Sequence, residues 1–297
     1  MRFDDYRTSS NVERGGRSSG FGGGGAGGLL MLAPMLIRFV FSRFGIVGVI
    51  VLIGLFFLLM GNPFGGGSPQ SATSQTGSVE SSEQVCAENS VVANSCRVLA
   101  STEDTWGQIF SQSGSRYEPP RMVVYNRDTD TQCGQGQAAM GPFYCPLDHK
   151  IYIDPEFFRE LAQRHGAPGD FAQNYVIAHE VGHHIQTVTG TADRIRSAQS
   201  AVGRGEGNAL QVRMELQADC YAGMWAARSR ERMESGDLEE GMTAAAAIGD
   251  DTLQQAGQGH VVPESFTHGS AAQRQEALLR GFQGGNPAAC EAYTAGI

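Results

Sequence analysis

Two histidines and a glutamate stand at a telling spacing in Tyr175–Gln186, YVIAHEVGHHIQ. On a helix, positions i and i+4 share a face, so His179 and His183 can present both imidazoles to one metal ion. Glu180 then lies beside that ion, where a carboxylate can act as a base toward a metal-bound water. These residue types at this spacing predict a Zn2+ site with its own proton acceptor. A helix carrying solvated His and Glu is the plainer reading, and it needs two histidines at metal spacing by accident.

Two imidazoles leave a tetrahedral zinc one protein ligand short, because a catalytic site keeps three protein ligands and an open position for water. An extended motif with glycine three residues and histidine six residues after His183 is ruled out, since Gln186 and Thr189 stand there. Downstream, RMELQADCYAGMWAA places Glu215 and Asp219 four apart on a predicted helix. Glu215 can complete the ligand set. Asp219, one turn on, can accept the second ring N–H of a ligating histidine and fix its tautomer. Ala218, Ala222 and Gly223 are small enough to let this helix approach the first closely. Taken alone, such an acidic pair is more often a solvated face.

HEVGHH followed by ELQADCYAG resembles the bacterial, membrane-anchored neutral zinc metallopeptidases, and E-x-x-A-D resembles the gluzincin pattern. MRFDDYR and CPLDHKIYID also fit that family, and the resemblance spans essentially the whole chain. It implies an α+β, zincin-like (gluzincin) metallopeptidase fold with a small sheet and a mainly helical remainder, behind one N-terminal transmembrane helix. It also implies Zn2+ as cofactor, peptide or protein as substrate, and His179, His183 and Glu215 as ligands. Near the C-terminus, His268 and Arg274 resemble the H-x5-R element of related membrane peptidases. That likeness makes His268 a donor to the developing oxyanion, assisted by Arg274. Gly269 departs from that pattern, where proline is usual. The plainer reading has Thr267 capping a final helix with His268 packed at its start. KIYID, Lys150–Asp154, is the candidate edge strand for an extended substrate, or else an ordinary internal strand. His149, His165, His184 and His260 read as ordinary polar residues.

The elements that must position these residues follow from local signals. RMVVY (Arg121–Tyr125) and KIYID read as strands. Asp154 and Pro155 begin a helix running to Arg164. Further helices are expected over Asp170–Val188 and Ala209–Arg232, and in the Ala-rich stretch after Asp237. Strands early and helices late make an α+β pattern.

Composition bounds the rest. The chain has 297 residues, 41% hydrophobic and 18% charged, enough for a real core. Its net charge of -9 argues against nucleic acid as a partner. Residues 1–28 are polar and Gly-rich and read as a disordered cytoplasmic tail. Residues 29–61 read as a transmembrane anchor region, because Phe44–Met60 gives 17 residues without a polar side chain. Residues 62–84 have the composition of a flexible linker, leaving 85–297 as the metallopeptidase domain. Up to Gly61, six arginines face three acidic residues, so the positive-inside rule keeps the N-terminus cytoplasmic and exports the remainder. All six cysteines lie beyond the anchor, as an exported, disulfide-bonded domain requires. Short separations favour Cys86 with Cys96 and Cys133 with Cys145, leaving Cys220 with Cys290.

The expected activity is zinc-dependent peptide hydrolysis on the outer side of the cytoplasmic membrane. The rival is a membrane-tethered binding or scaffold module whose zinc site is structural or vestigial. An intact Glu180 favours the enzyme, since a closed structural site has no use for it.

Overall fold

A sequence that puts its strands first and its helices later folds accordingly. The structure is a computed structural model and describes residues 1–16, 80–137 and 141–297. Strand β1 is Val12–Arg14, followed by helices α1 (Ser82–Cys86) and α2 (Ser90–Gln112). Strands β2 (Arg121–Val124), β3 (Asp128–Thr131), β4 (Gly134–Gln137), β5 (Phe143–Cys145) and β6 (Lys150–Ile153) come next. The remainder is helical: α3 (Glu156–Arg164), α4 (Asp170–Val188), α5 (Thr191–Ser200), α6 (Arg204–Arg228) and α7 (Asp237–Ala247). Three more close the chain: α8 (Asp250–Gln258), α9 (Ala271–Gly284) and α10 (Ala288–Glu291). The result is a mixed α+β body, mostly helical with a small sheet.

The four-stranded sheet has the order β1-β2-β6-β5, and β3 and β4 form a separate two-stranded hairpin. β1, β2 and β6 run parallel, while β5 pairs antiparallel with β6. KIYI is therefore an internal strand. The edge beyond it is β5, so the expectation that Lys150–Asp154 forms the edge is corrected. Its strand signal gave no warning, because β6 is enclosed by the nearby β5 on one side and, on the other, by β2, which comes from much earlier in the chain.

The predicted disordered tail over 1–28 is also corrected for residues 1–16, which carry β1 and bury Met1, Phe3 and Val12. Polar composition hid a segment that does not make a core of its own but completes another. The predicted anchor over 29–61 and residues 62–79 of the predicted 62–84 linker lie outside the described residues. Among the described residues, no helix is long and apolar enough to cross a membrane. Helix α1 begins a little before Val85, with Ser81 and Gln84 closing a capping box at its start.

Helix α4 is the centre of the body. It is buried from Phe171 to Gln186 apart from His183, which is half-buried, and a helix buried nearly all round belongs inside a core. Helix α2, which no sequence signal had marked, packs against it with Val92, Cys96 and Leu99 fully buried. Ser, Thr and Asn dilute its helical pattern, although Asn89 caps it by accepting from the Val92 N–H. At Gly182 an added Cβ would lie 3.0 Å from the Ala218 Cα, so α4 and α6 approach closely there. At Gly281 an added Cβ would lie 1.8 Å from the Cys220 carbonyl oxygen, so α9 rests directly on the backbone of α6. Gly223 faces α9 rather than α4, with the Leu278 carbonyl where its Cβ would be. Three helices thus meet at backbone distance, and they carry His179, Glu215 and Arg274 respectively.

The disulfides are Cys86–Cys96, Cys133–Cys145 and Cys220–Cys290, the pairing that separation favoured.

Candidate metal centre

His179, His183 and Glu215 converge. The Nε2 atoms of the two histidines are 3.1 Å apart, and the Glu215 Oε2 lies 3.3 Å from one and 3.4 Å from the other. Ligands at about 2.0–2.1 Å from a tetrahedral zinc are separated from each other by about 3.3 Å. The three donors therefore stand at the separations one Zn2+ would impose, and their types suit that ion. All three residues are mostly buried, on the wall of a cavity of about 660 Å³ that Glu180 also lines.

Each donor is aimed by a partner behind it, the outer support that fixes a ligand's tautomer and orientation. The His179 Nδ1 donates to Asp219 Oδ1 at 2.7 Å, as its spacing predicted. The His183 Nδ1 donates to Gln186 Oε1 at 2.9 Å, leaving Nε2 bare for metal. Gln186 is held in turn, its Nε2 donating to the Met214 carbonyl at 2.7 Å and to Gln217 Oε1 at 3.1 Å. Gln211 donates to the other carboxylate oxygen of Glu215 at 2.9 Å. Sequence reading passed over both glutamines, although His183/Gln186 and Gln211/Glu215 are at i,i+3 and i,i+4 helical spacing. Replacing Gln186 by Ala should lower zinc affinity about 10- to 100-fold with the fold intact. Competition against a chelator reads this, and unchanged affinity would leave Gln186 a packing residue.

Asp219 is fully buried and heavily engaged. Its Oδ1 accepts from His179, from the Tyr175 hydroxyl at 2.5 Å and from Arg274 Nη2 at 2.9 Å, and its Oδ2 accepts from Arg274 Nε at 2.9 Å. Burial would raise its pKa, but the Arg274 guanidinium and His179 hold it down to about 2. Burial would likewise lower the pKa of His179, yet Asp219 and Glu215 push it up to about 10. For Glu215 the balance runs the other way, burial raising and the two imidazoles holding it well below the carboxylate range. Protons and metal therefore compete for the same donors, and metal affinity should rise with pH.

His268 lies on the same cavity as the metal donors. The residue that holds it is Asp250, not Arg274. Asp250 Oδ2 accepts the backbone N–H of Thr267, His268 and Gly269 at 2.7, 2.6 and 3.0 Å, and its Oδ1 lies 3.2 Å from His268 Nδ1. This Asp250 contact outweighs burial and raises the imidazole pKa. Arg274 instead forks onto Asp219, touches the Tyr175 hydroxyl at 3.1 Å and caps the Ile248 carbonyl at 3.2 Å. Its assistance is thus given to His179 through Asp219. Helix α9, which begins just after His268, is capped by Ser270 with Gln273, not by Thr267. Asp250 had no signal in the sequence, lying 18 residues from His268 among other acidic residues.

His184 also exceeds the ordinary role first read for it. Its Nε2 faces the Glu118 carbonyl at 2.8 Å, which can only accept, so Nδ1 accepts from the Tyr144 hydroxyl at 3.1 Å. Burial drives its pKa down to about 4 and keeps it neutral for this task. Tyr144 is the middle residue of β5, so this pair fastens the edge strand to α4 beside His183.

The family described as "Putative neutral zinc metallopeptidase" matches residues 1–293. A protein of Escherichia coli K12 named "Uncharacterized protein YpfJ" is 45% identical over 99% of both chains. A Mycobacterium tuberculosis H37Rv protein, "Uncharacterized protein Rv2575", is 40% identical over 67% of this chain and 71% of its own. No solved structure is similar. With a family match that runs from the first strand through the last helix and takes in every donor described above, the chain belongs to the neutral zinc metallopeptidase family.

Proposed function

We propose that the protein is a zinc-dependent endopeptidase of zincin-like, gluzincin type. The observation that carries this reading is the donor triangle with its three supports, opening with Glu180 onto one cavity. Zinc bound there would acidify a water and polarise a substrate carbonyl. His179, His183 and Glu215 would hold the metal. Glu180, beside them on the cavity wall, would accept a water proton and hand it to the leaving amine. His268, fixed by Asp250, donates to the oxyanion. An extended peptide lies along the free edge of β5, whose Phe143 and Tyr144 line the cavity, by main-chain pairing.

The protein works, in this reading, at the outer side of the cytoplasmic membrane, attached through the apolar 29–61 region. Three disulfides support export, since such bonds persist in oxidising compartments.

The test is metal content joined to proteolysis. The purified full chain should hold about one zinc, as a three-donor site would, and cleave an unfolded protein in a way a peptide hydroxamate blocks. Glu215→Ala should lose most of the metal. A folded wild-type protein that takes up no zinc when offered it overturns the reading.

A further inference from the structure

Residues 1–16 and the metal-bearing body are parts of one fold. β1 is hydrogen-bonded to β2 in parallel, Val12 in register with Met122 and Arg14 with Val124. The Asn11 carbonyl accepts the Met122 N–H, and the Val124 carbonyl accepts the Gly15 N–H, both at 2.8 Å. Phe3 is 2% exposed and stacks on Trp225 of α6, ring centres 5.9 Å apart. Trp225 is ten residues along the same helix from Glu215. Ser9 and Asn11 converge on Glu103 of α2, and Glu13 receives Lys150 of β6.

Gly16 and Glu80, the described residues on either side of 17–79, stand at neighbouring points of this body. Arg14 Nε lies 3.4 Å from Glu80 Oε2. The Ser82 hydroxyl reaches the carbonyls of Ser10 and Val12, each at 2.8 Å. Between the two points the sequence carries the apolar run Phe44–Met60.

A strand cannot pair across a bilayer, because hydrogen bonds near 3 Å cannot span a hydrocarbon core of about 30 Å. The charge count that placed the N-terminus in the cytoplasm also changes meaning. Arg7 is paired with Glu103 and Asp104, and Arg14 with Glu80 and Glu88. Those two positive charges are balanced inside the body rather than free to hold a tail at the cytoplasmic surface.

We infer that residues 1–16 and 80–297 lie on the same side of the membrane. The N-terminus therefore travels with the metal centre, not opposite to it, in contrast to a single crossing. This inference rests on the membrane attachment proposed above.

Introduced thiols test it, because all six native cysteines are in disulfides. Thr8→Cys and Ala256→Cys each place one cysteine at an exposed position of the full chain. A membrane-impermeant maleimide is added to cells opened outside the cytoplasmic membrane, then again after that membrane is disrupted. The two variants should label alike: both before disruption, or both only after it. Labelling of Ala256→Cys before disruption and of Thr8→Cys only afterwards, or the reverse, overturns the shared side while leaving the attachment standing. Alkaline carbonate extraction reads the attachment separately. Release of the protein from membranes by carbonate overturns that attachment, and the inference with it.

Discussion

Glu180→Gln is expected to reduce peptide turnover by about 10²- to 10⁴-fold, the span of a positioned general base. Zinc content should stay at the wild-type level. Glu180 is one residue from His179 but does not belong to the donor triangle, so its amide should leave all three donor distances as they are. The replacement keeps shape and removes only the ability to accept a proton. Single-turnover cleavage and elemental analysis on the same preparation separate the two effects. Wild-type turnover with zinc retained would remove Glu180 as the base and leave the proton transfer to another group. Loss of zinc together with activity would make Glu180 part of the metal's support instead of its base.

Arg274→Ala should be the most damaging change to stability away from the donors. Asp219 has no exposure, and the guanidinium supplies two of its four hydrogen bonds. Removing one partner of a buried pair leaves the other charge uncompensated, at about 3–5 kcal/mol. For a body of this size each kcal/mol moves Tm by about 2–4 °C, so a fall of roughly 6–20 °C follows. Calorimetry of the metal-free protein measures it. A Tm within a degree or two of wild type would mean that Tyr175 and His179 satisfy Asp219 unaided. A second variant, Arg274→Lys, keeps the charge but loses the fork, and should recover only part of the loss.

The same pair sets an acid limit. The Asp219 pKa is depressed in the folded state to about 2, below the ordinary aspartate value of about 3.9. Its contribution is therefore complete above the unfolded value and lost as pH falls toward the folded one. Arg274→Ala should remove that portion of the acid transition along with the stability.

The local part of the centre was legible because a helix puts residues three or four apart on one face. HEVGH fixes two donors and the base within five residues, and ELQAD puts Asp219 one turn from Glu215. Gln186 and Gln211 obey the same rule, each three or four residues from the donor it supports. Separation likewise sorted the cysteines, since the two short loops close most readily. What required the tertiary structure was each partner brought from afar: Arg274 to Asp219 across 55 residues, Asp250 to His268 across 18, and Glu13 to Lys150 across 137. A buried arginine and a surface arginine are written with the same letter, and only packing against α6 and α4 distinguishes them. The same holds for β1, whose polar neighbourhood reads as a tail until β2 offers an unpaired edge, and for β5, which is the outer strand only because β6 is enclosed on its other side. Sequence alone determined the donor chemistry through helical periodicity. The distant supports of that chemistry and the place of β1 in the sheet were decided by long-range pairing, which no local pattern encodes.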